Sequence, residues 1–339
     1  MRNVDPRGFV SLRTYFRLFT HTQLMPVLEN GEETLVGGQA VMEGVMMRAP
    51  HSYCVAVRKA NGEVVTEQQP LPRMSEKYPI FKLPVFRGVG TLFQAMSLGM
   101  KALKFSADVA MEGAHKEEKV KNPKAKEVPG WVMTGNLIIS LLMFIFMYKF
   151  IPLTVVTWLK GPFPVLNERI PFNVADGVVR MLIFLVFMWA LSLMKDIRRV
   201  FQYHGAEHRV VFNFESGKPV NVENAQSFTT YHPRCGTSFL FVVIIVSIVF
   251  YTFIPFDGFV AKLLSRIVLL PVIAGVSYEL IRFAAKRRGS VLATITAPGL
   301  WLQRITTKPP AADQTAVAIT ALEGAMALEE KQGGELVIA

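Results

Sequence analysis

SFLFVVIIVSIVFYTFIPF, residues 238–256, contains no charged residue, and this run decides the kind of fold the chain can adopt. A bilayer core is crossed by about 20 apolar residues in a helix. A run this long and uniform is typical of a transmembrane helix rather than of a buried helix in a soluble protein. We therefore predict a mainly α, polytopic membrane protein with four transmembrane helices. The other three predicted spans are residues 135–159, 177–194 and 259–281.

The composition agrees with a membrane protein. Of 339 residues, 51% are hydrophobic and only 19% are charged, and the mean hydropathy is +0.33. This excludes disorder for most of the chain, and two cysteines, Cys54 and Cys235, exclude a disulfide scaffold. The net charge is +11, but the basic residues lie beside apolar runs, so we expect no nucleic-acid partner.

Lysine and arginine in the loops predict the orientation. Residues 116–130 hold five of them, residues 195–237 six and residues 282–290 four, whereas residues 160–176 hold two. Cytoplasmic loops carry the excess of positive charge. We expect a multi-pass protein of the inner cell membrane, in contact with the lipid bilayer and with both termini in the cytoplasm.

The N-terminal third divides into two segments. Residues 1–34 are a poorly defined extension, and Met25 is an alternative start. Residues 35–130 form a cytoplasmic unit whose β-rich part turns at Asn61-Gly62, a strong hairpin signal. Within it, residues 85–110 are either an interfacial helix or an ordinary amphipathic helix on this unit, and residues 115–128 are a charged linker.

The remainder divides at the last predicted span. Residues 131–290 form the membrane domain, with a cytoplasmic loop at 195–237. Residues 291–339 form a cytoplasmic segment in which 311–331 has the i, i+3, i+4 pattern of an amphipathic helix. We expect that helix to pack on the cytoplasmic unit or on an unknown protein partner.

The 195–237 loop carries the chemistry. His204 and His208 lie one helical turn apart in His-Gly-Ala-Glu-His, with Glu207 between them. This H-x-x-E-H order is that of the inverted zincins. Two imidazoles at this spacing can bind a divalent metal, foremost zinc, with Glu207 as the general base for water.

A metal site needs further ligands, and three interpretations remain open. An open, catalytic site would use His204, His208 and one carboxylate or cysteine, with water on the metal. A closed, structural site would add both His232 and Cys235. In the third interpretation there is no metal and the histidines are only hydrogen-bonded. Glu223 is a further ligand candidate.

Polar residues in two apolar stretches of the sequence extend the candidate site. Gln39, Glu43 and Arg48 lie in a glycine-rich segment. Either all three complete the site, or the charged Glu43 and Arg48 pair with each other. Glu279 lies in the fourth predicted span and is either functional or paired with Arg282.

Five blocks of the sequence resemble a bacterial membrane family known as domain of unknown function 1385. The resemblance covers roughly residues 35–330, in the same order, and it implies the membrane architecture and a metal-dependent enzyme without naming a substrate. The blocks are GGQAVMEGVMMR (37–48), YHGAEH (203–208), HPRCGTSF (232–239), SYELIR (277–282) and PGLWLQ-ITT-P (298–309).

Two functional hypotheses follow. The first is a metal-dependent, hydrolytic membrane enzyme with a cytoplasm-facing site. The second is a non-enzymatic scaffold, regulator or transport component with a structural metal or none, for which a path could use Lys149, Arg180, Arg266 and Glu279.

Overall fold

The computed structural model describes residues 36–72, 74–121, 130–232, 235–256, 258–286 and 291–331. The N-terminal extension with Met25 and the second half of the predicted 115–128 linker lie outside these residues. The described chain is mainly helical with one small antiparallel sheet near its N-terminus.

The sheet is a four-stranded meander in the order β1-β2-β3-β4. Its strands are β1 (Gly37–Val41), β2 (Gly44–Arg48), β3 (Ser52–Arg58) and β4 (Val64–Pro70). The predicted hairpin is confirmed as β3 and β4, and Gly62 has a φ of 89° in the turn between them. Such a positive φ favours glycine, which is why Asn-Gly stands there.

Helices cover both faces of the sheet. They include α1 (Met74–Lys77), a 3₁₀ turn (Pro79–Lys82) and α2 (Phe86–Lys121), which runs through the first half of the predicted linker. Leu98 and Ala102 of α2 pack on one face, against Val41, Met46 and Val55. This contact matches the amphipathic-helix interpretation of residues 85–110.

The membrane segment begins with two long apolar helices. A continuous helix is made of α3 (Gly130–Ile145), a π-helical turn (Phe146–Phe150) and α4 (Ile151–Leu159), and a 3₁₀ turn (Pro164–Asn167) leads to α5 (Arg169–Ser192). Residues 138–159 and 169–192 are each long and apolar enough to cross a membrane. Their outer faces expose large apolar side chains, as lipid-facing helices do.

A break separates α5 from α6 (Lys195–Glu215), which is followed by α7 (Val222–Gln226). Met194 is extended, with a ψ of 130°, so α6 is a separate helix and does not continue α5.

The last two predicted spans are less regular than expected. The third run forms α8 (Gly236–Thr252), whose 17 residues give a helix of roughly 25 Å, short of a full crossing. The fourth forms α9 (Phe259–Val268) and α10 (Leu270–Lys286), bent by 49° where Pro271 cannot donate a helical hydrogen bond. The described residues therefore contain two candidate spans, or three if this bent pair is one span, and not clearly four.

The C-terminal part returns to the sheet. It consists of α11 (Val291–Thr306) and α12 (Ala312–Lys331). Val317, Ala321 and Leu322 of α12 are buried against β2, β3 and α6. The predicted amphipathic helix thus packs on the sheet of its own chain.

Candidate metal centre

The two motif histidines lie on one face of α6, with ring centroids 4.4 Å apart. His204 Nδ1 is 2.8 Å from the carbonyl oxygen of Thr306, and His208 Nδ1 contacts the carbonyl oxygen of Thr230. A carbonyl oxygen only accepts, so each Nδ1 carries the proton and donates it. Each Nε2 atom therefore keeps a free lone pair, as in histidines that bind metals.

Cys235, the residue before α8, completes a group of three donors. Its Sγ lies 3.3 Å from Nε2 of His204. The ligand atoms of His204, His208 and Cys235 all lie within 4.8 Å of one another. Tetrahedral zinc, with Zn–N near 2.0 Å and Zn–S near 2.3 Å, holds its ligand atoms roughly 3–4 Å apart. Small side-chain rotations would bring the three donors onto one ion.

A glycine in the motif allows this arrangement. A Cβ on Gly205 would lie 2.1 Å from the carbonyl oxygen of Lys308. Lys308 in turn donates its backbone N–H to the carbonyl of Phe201, at 2.9 Å. The chain after α11 therefore crosses α6 at Gly205, and this close approach brings the Thr306 carbonyl to His204.

His232 lies beside the three donors rather than among them. Its ring centroid is 5.6 Å from that of His208, and its Nε2 is 3.5 Å from Glu215 Oε2. The Gln303 side chain accepts a hydrogen bond from the His232 backbone N–H and donates one to the His232 carbonyl, each at 2.7 Å. Of the four predicted metal ligands, the structure brings three together and holds His232 behind them.

Glu207 is buried beneath β1. A Cβ on Gly38 would lie 2.7 Å from Glu207 Cγ, so only glycine permits this contact. Burial raises the pKa of Glu207, and this outweighs the lowering by His204, by His232 and by a backbone hydrogen bond from Gly38. A carboxyl group with a raised pKa is suited to proton transfer near neutral pH.

Burial also keeps two histidines neutral. It lowers the pKa of His208, and it lowers the pKa of His232 to about 4. The neutral imidazole is the form that binds a metal.

A cavity of about 630 Å³ opens onto the centre. Gln39 and Arg48 line it together with Glu207 and the three donors. Both come from the same face of the sheet, because Gln39 pairs with Met46 and residues two apart in a strand share a face. These two predicted site residues are therefore at the cavity.

Three other predicted carboxylates lie elsewhere. Glu43 occupies the β1–β2 turn with a φ of 53°, and Arg199 Nη2 donates to it at 2.7 Å. Glu223 is exposed on α7. Glu279 accepts from Arg87 Nη2 at 2.6 Å instead of pairing with the nearby Arg282.

Several groups that shape the centre had no usable signal in the sequence. The carbonyls of Thr230 and Thr306 act through the backbone, which any residue supplies. Gly38 and Gln303 lie in two of the sequence blocks that resemble the family, but only the fold shows what they contact.

Together, the fold and the site define a mainly helical protein, whose described residues include two or three helices apolar enough to span a membrane and a partly buried His-His-Cys group. The chain belongs to the family described as "Protein of unknown function (DUF1385)", whose model matches residues 83–328. This match includes all of α6 and Cys235 but begins after the sheet. The chain is also similar to "Uncharacterized protein YqhQ" of Bacillus subtilis (strain 168), with 32% identity over 294 residues, 86% of this chain and 92% of that protein. No solved structure matches the chain.

Proposed function

We propose that this protein is a membrane-embedded, metal-dependent enzyme that catalyses hydrolysis. The observation that carries the proposal is the convergence of three metal-binding donors, His204, His208 and Cys235, within 4.8 Å. Both histidines donate Nδ1–H to a backbone carbonyl, which is the usual outer contact of a metal-binding imidazole. Nitrogen and sulfur donors favour zinc over magnesium or calcium.

The residues around the donors suit a catalytic rather than a saturated site. Three protein ligands leave a fourth position for water, and a bound zinc ion lowers the pKa of such a water to about 7. Glu207 is buried in the same cavity, where its carboxylate would accept the proton that water loses. Gln39 and Arg48 would orient a polar group of the substrate.

The cavity suggests a substrate class. Its volume of about 630 Å³ is in the usual range for small-molecule sites. Apolar side chains contribute to its wall, including Leu98, Phe201 and Leu240. Leu240 belongs to the apolar helix α8. We infer a substrate that joins an apolar portion to a hydrolysable polar group.

We further propose four passes through the inner membrane with both termini in the cytoplasm. Four passes result if α8 and the bent α9–α10 pair each cross the membrane once. The short α8 can cross where the bilayer is locally thinned. The metal centre would then face the cytoplasm, beside the basic 195–237 segment.

A cobalt-substituted protein tests the site. Thiolate-to-cobalt absorption in the near ultraviolet should be present in the wild type and in His232→Ala, and absent in Cys235→Ser. Glu207→Gln should keep this absorption but lose hydrolysis of a panel of acyl and phosphoryl ester probes by about a hundredfold or more. Glu223→Gln, on an exposed carboxylate, is the matched control and should behave as wild type.

One observation favours a second function, that of a structural metal in a scaffold. The donors come from α6 and the start of α8, and the Thr306 carbonyl belongs to the end of α11. A bound ion would fasten these helices together. In that case Cys235→Ser should lower thermal stability sharply, while Glu207→Gln should change no measured property.

A further inference from the structure

A second polar cluster lies inside the apolar helices, at the other end of α5 from the His-His-Cys centre. Asp176, on α5, accepts from Arg266 Nη1 of α9 at 2.7 Å and also pairs with Arg180 one turn along its own helix. Lys149 of the π-helical turn donates to the hydroxyl of Tyr251 at 2.8 Å. All five side chains are at least nine-tenths buried.

The charges in this cluster do not balance. Among the residues that the structure describes, Arg180 and Arg266 share one carboxylate, that of Asp176. The other contacts of these side chains are neutral: Arg180 Nη1 donates to Ser247 Oγ at 2.7 Å, Arg266 Nη2 donates to Asn173 Oδ1 at 2.9 Å, and Lys149 donates to the Tyr251 hydroxyl. The buried Nε of Arg180 has no hydrogen-bond partner within the described part of the chain. Buried cations are costly unless an anion or several acceptors compensate them, and within a membrane they mark functional sites.

A cavity of about 190 Å³ leads to this cluster. Arg266 and Tyr251 line its inner part, and Lys160, Arg169 and Lys262 add positive charge to its wall. Glu168 is the one carboxylate among the described lining residues. The cavity has room for several waters, since one water occupies about 30 Å³ in the liquid.

One aromatic ring, that of Phe172, lies close to two of the lysines at the entrance. The Nζ atoms of Lys160 and Lys262 lie 4.8 and 4.9 Å from the centroid of the Phe172 ring. Trp158, Phe163 and Phe253 are exposed around this end of the helices. Aromatic side chains of this kind gather where lipid headgroups begin, so in a bilayer we expect the entrance at the depth of the lipid phosphates.

We propose that this cavity binds a phosphate group, carried either by a lipid headgroup or by a soluble phosphate. Arginine side chains present paired N–H donors that match phosphate oxygens, and lysines add charge without a fixed geometry. An anion in the cavity would bring negative charge to Arg266 and to the basic residues of the wall, which face one carboxylate, that of Glu168, among the described lining residues. This site is separate from the proposed metal centre and does not depend on it.

The test is thermal stabilisation of the protein in a neutral detergent at constant ionic strength. One arm adds inorganic phosphate; the other adds dihexanoyl phosphatidic acid, with the matching diacylglycerol as the phosphate-free control. A ligand that binds only the folded state raises the melting temperature in a saturable way. A response to inorganic phosphate supports a soluble source, and a response to the lipid alone supports a headgroup.

The decisive variant is Lys160→Gln/Lys262→Gln, which leaves the buried cluster intact. Loss of two entrance cations should raise the half-saturating concentration about tenfold. Lys218→Gln is the matched control, because Lys218 also lies over a phenylalanine ring, at 5.7 Å from that of Phe228, but outside the cavity. The proposal is overturned if neither probe stabilises the wild type, or if the double variant responds as strongly as the wild type does.

Discussion

Two polar clusters in the described part of the chain differ in what they offer to a ligand. At the metal centre, His204 and His208 each commit one ring nitrogen to a carbonyl and leave the other as a lone pair beside the Cys235 sulfur. Within the apolar helices, Arg180 and Arg266 bring N–H donors and positive charge to one carboxylate, that of Asp176, and Lys149 donates to the Tyr251 hydroxyl.

The contrast shows that burial alone does not define a site. Both clusters contain buried polar groups, yet neutral acceptors that converge favour a cation, and cations in excess favour an anion. We therefore expect the metal centre to bind metal and not phosphate, and the cluster within the apolar helices to do the reverse. Three variants test how far the stability of the protein depends on contacts in each cluster.

The largest effect is expected from Asp176→Asn. The change removes the carboxylate that Arg180 and Arg266 share and leaves both cations without it. Removing one partner of a buried ion pair costs about 3–5 kcal/mol. The unfolding free energy in detergent micelles should fall by that amount. Glu223→Gln, which removes an exposed carboxylate, should change it by less than about 0.5 kcal/mol; equal values for the two variants would contradict this account.

The next effect is a pH dependence at the metal centre. Burial lowers the pKa of His232 from 6.5 to about 4, so the unfolded chain binds a proton between these values that the folded chain does not. The contribution of His232 to the unfolding free energy is therefore fully present above about pH 6.5. It is lost as the pH falls toward 4, and the loss is at most about 3 kcal/mol. Melting curves with chelator present should show this loss, and His232→Asn should reduce it; an unchanged pH profile would show that His232 is not the group responsible.

A smaller effect is expected from Gly205→Ala. The added Cβ would meet the Lys308 carbonyl at 2.1 Å, so α6 or the chain after α11 must shift, at a cost of about 2 kcal/mol. The shift would also move His204 away from Thr306 and weaken metal binding. Gly37→Ala is the control, because a Cβ there has open space. If the two variants matched in melting temperature and in metal content, the close approach at Gly205 would not matter.

Local patterns in the sequence were sufficient where the contacts are local. The spacing of His204 and His208 predicts their shared helical face, and the i, i+3, i+4 pattern predicts the buried face of α12. The Asn61-Gly62 hairpin follows from the same kind of short-range rule. Asp176 could also have been found, since it lies four residues before Arg180 at the edge of an apolar run.

Long-range contacts could not be predicted in this way. The nearest cation to Glu279 in sequence is Arg282, but the fold supplies Arg87 from α2 instead. Gln39, Glu43 and Arg48 share one motif, yet the register of β1 with β2 directs only two of them to the cavity and leaves Glu43 in the turn. Register and helix packing depend on the whole chain, and a single motif does not contain that information.

The central claim is that His204, His208 and Cys235 bind a metal, and metal content measures it most directly. The detergent-purified wild type and His204→Ala/His208→Ala should be analysed by elemental mass spectrometry after exposure to divalent ions and removal of the excess. We predict about one zinc per chain in the wild type and a near-complete loss in the double variant. Absence of bound metal from both proteins would contradict the account and leave the three side chains as a hydrogen-bonded group.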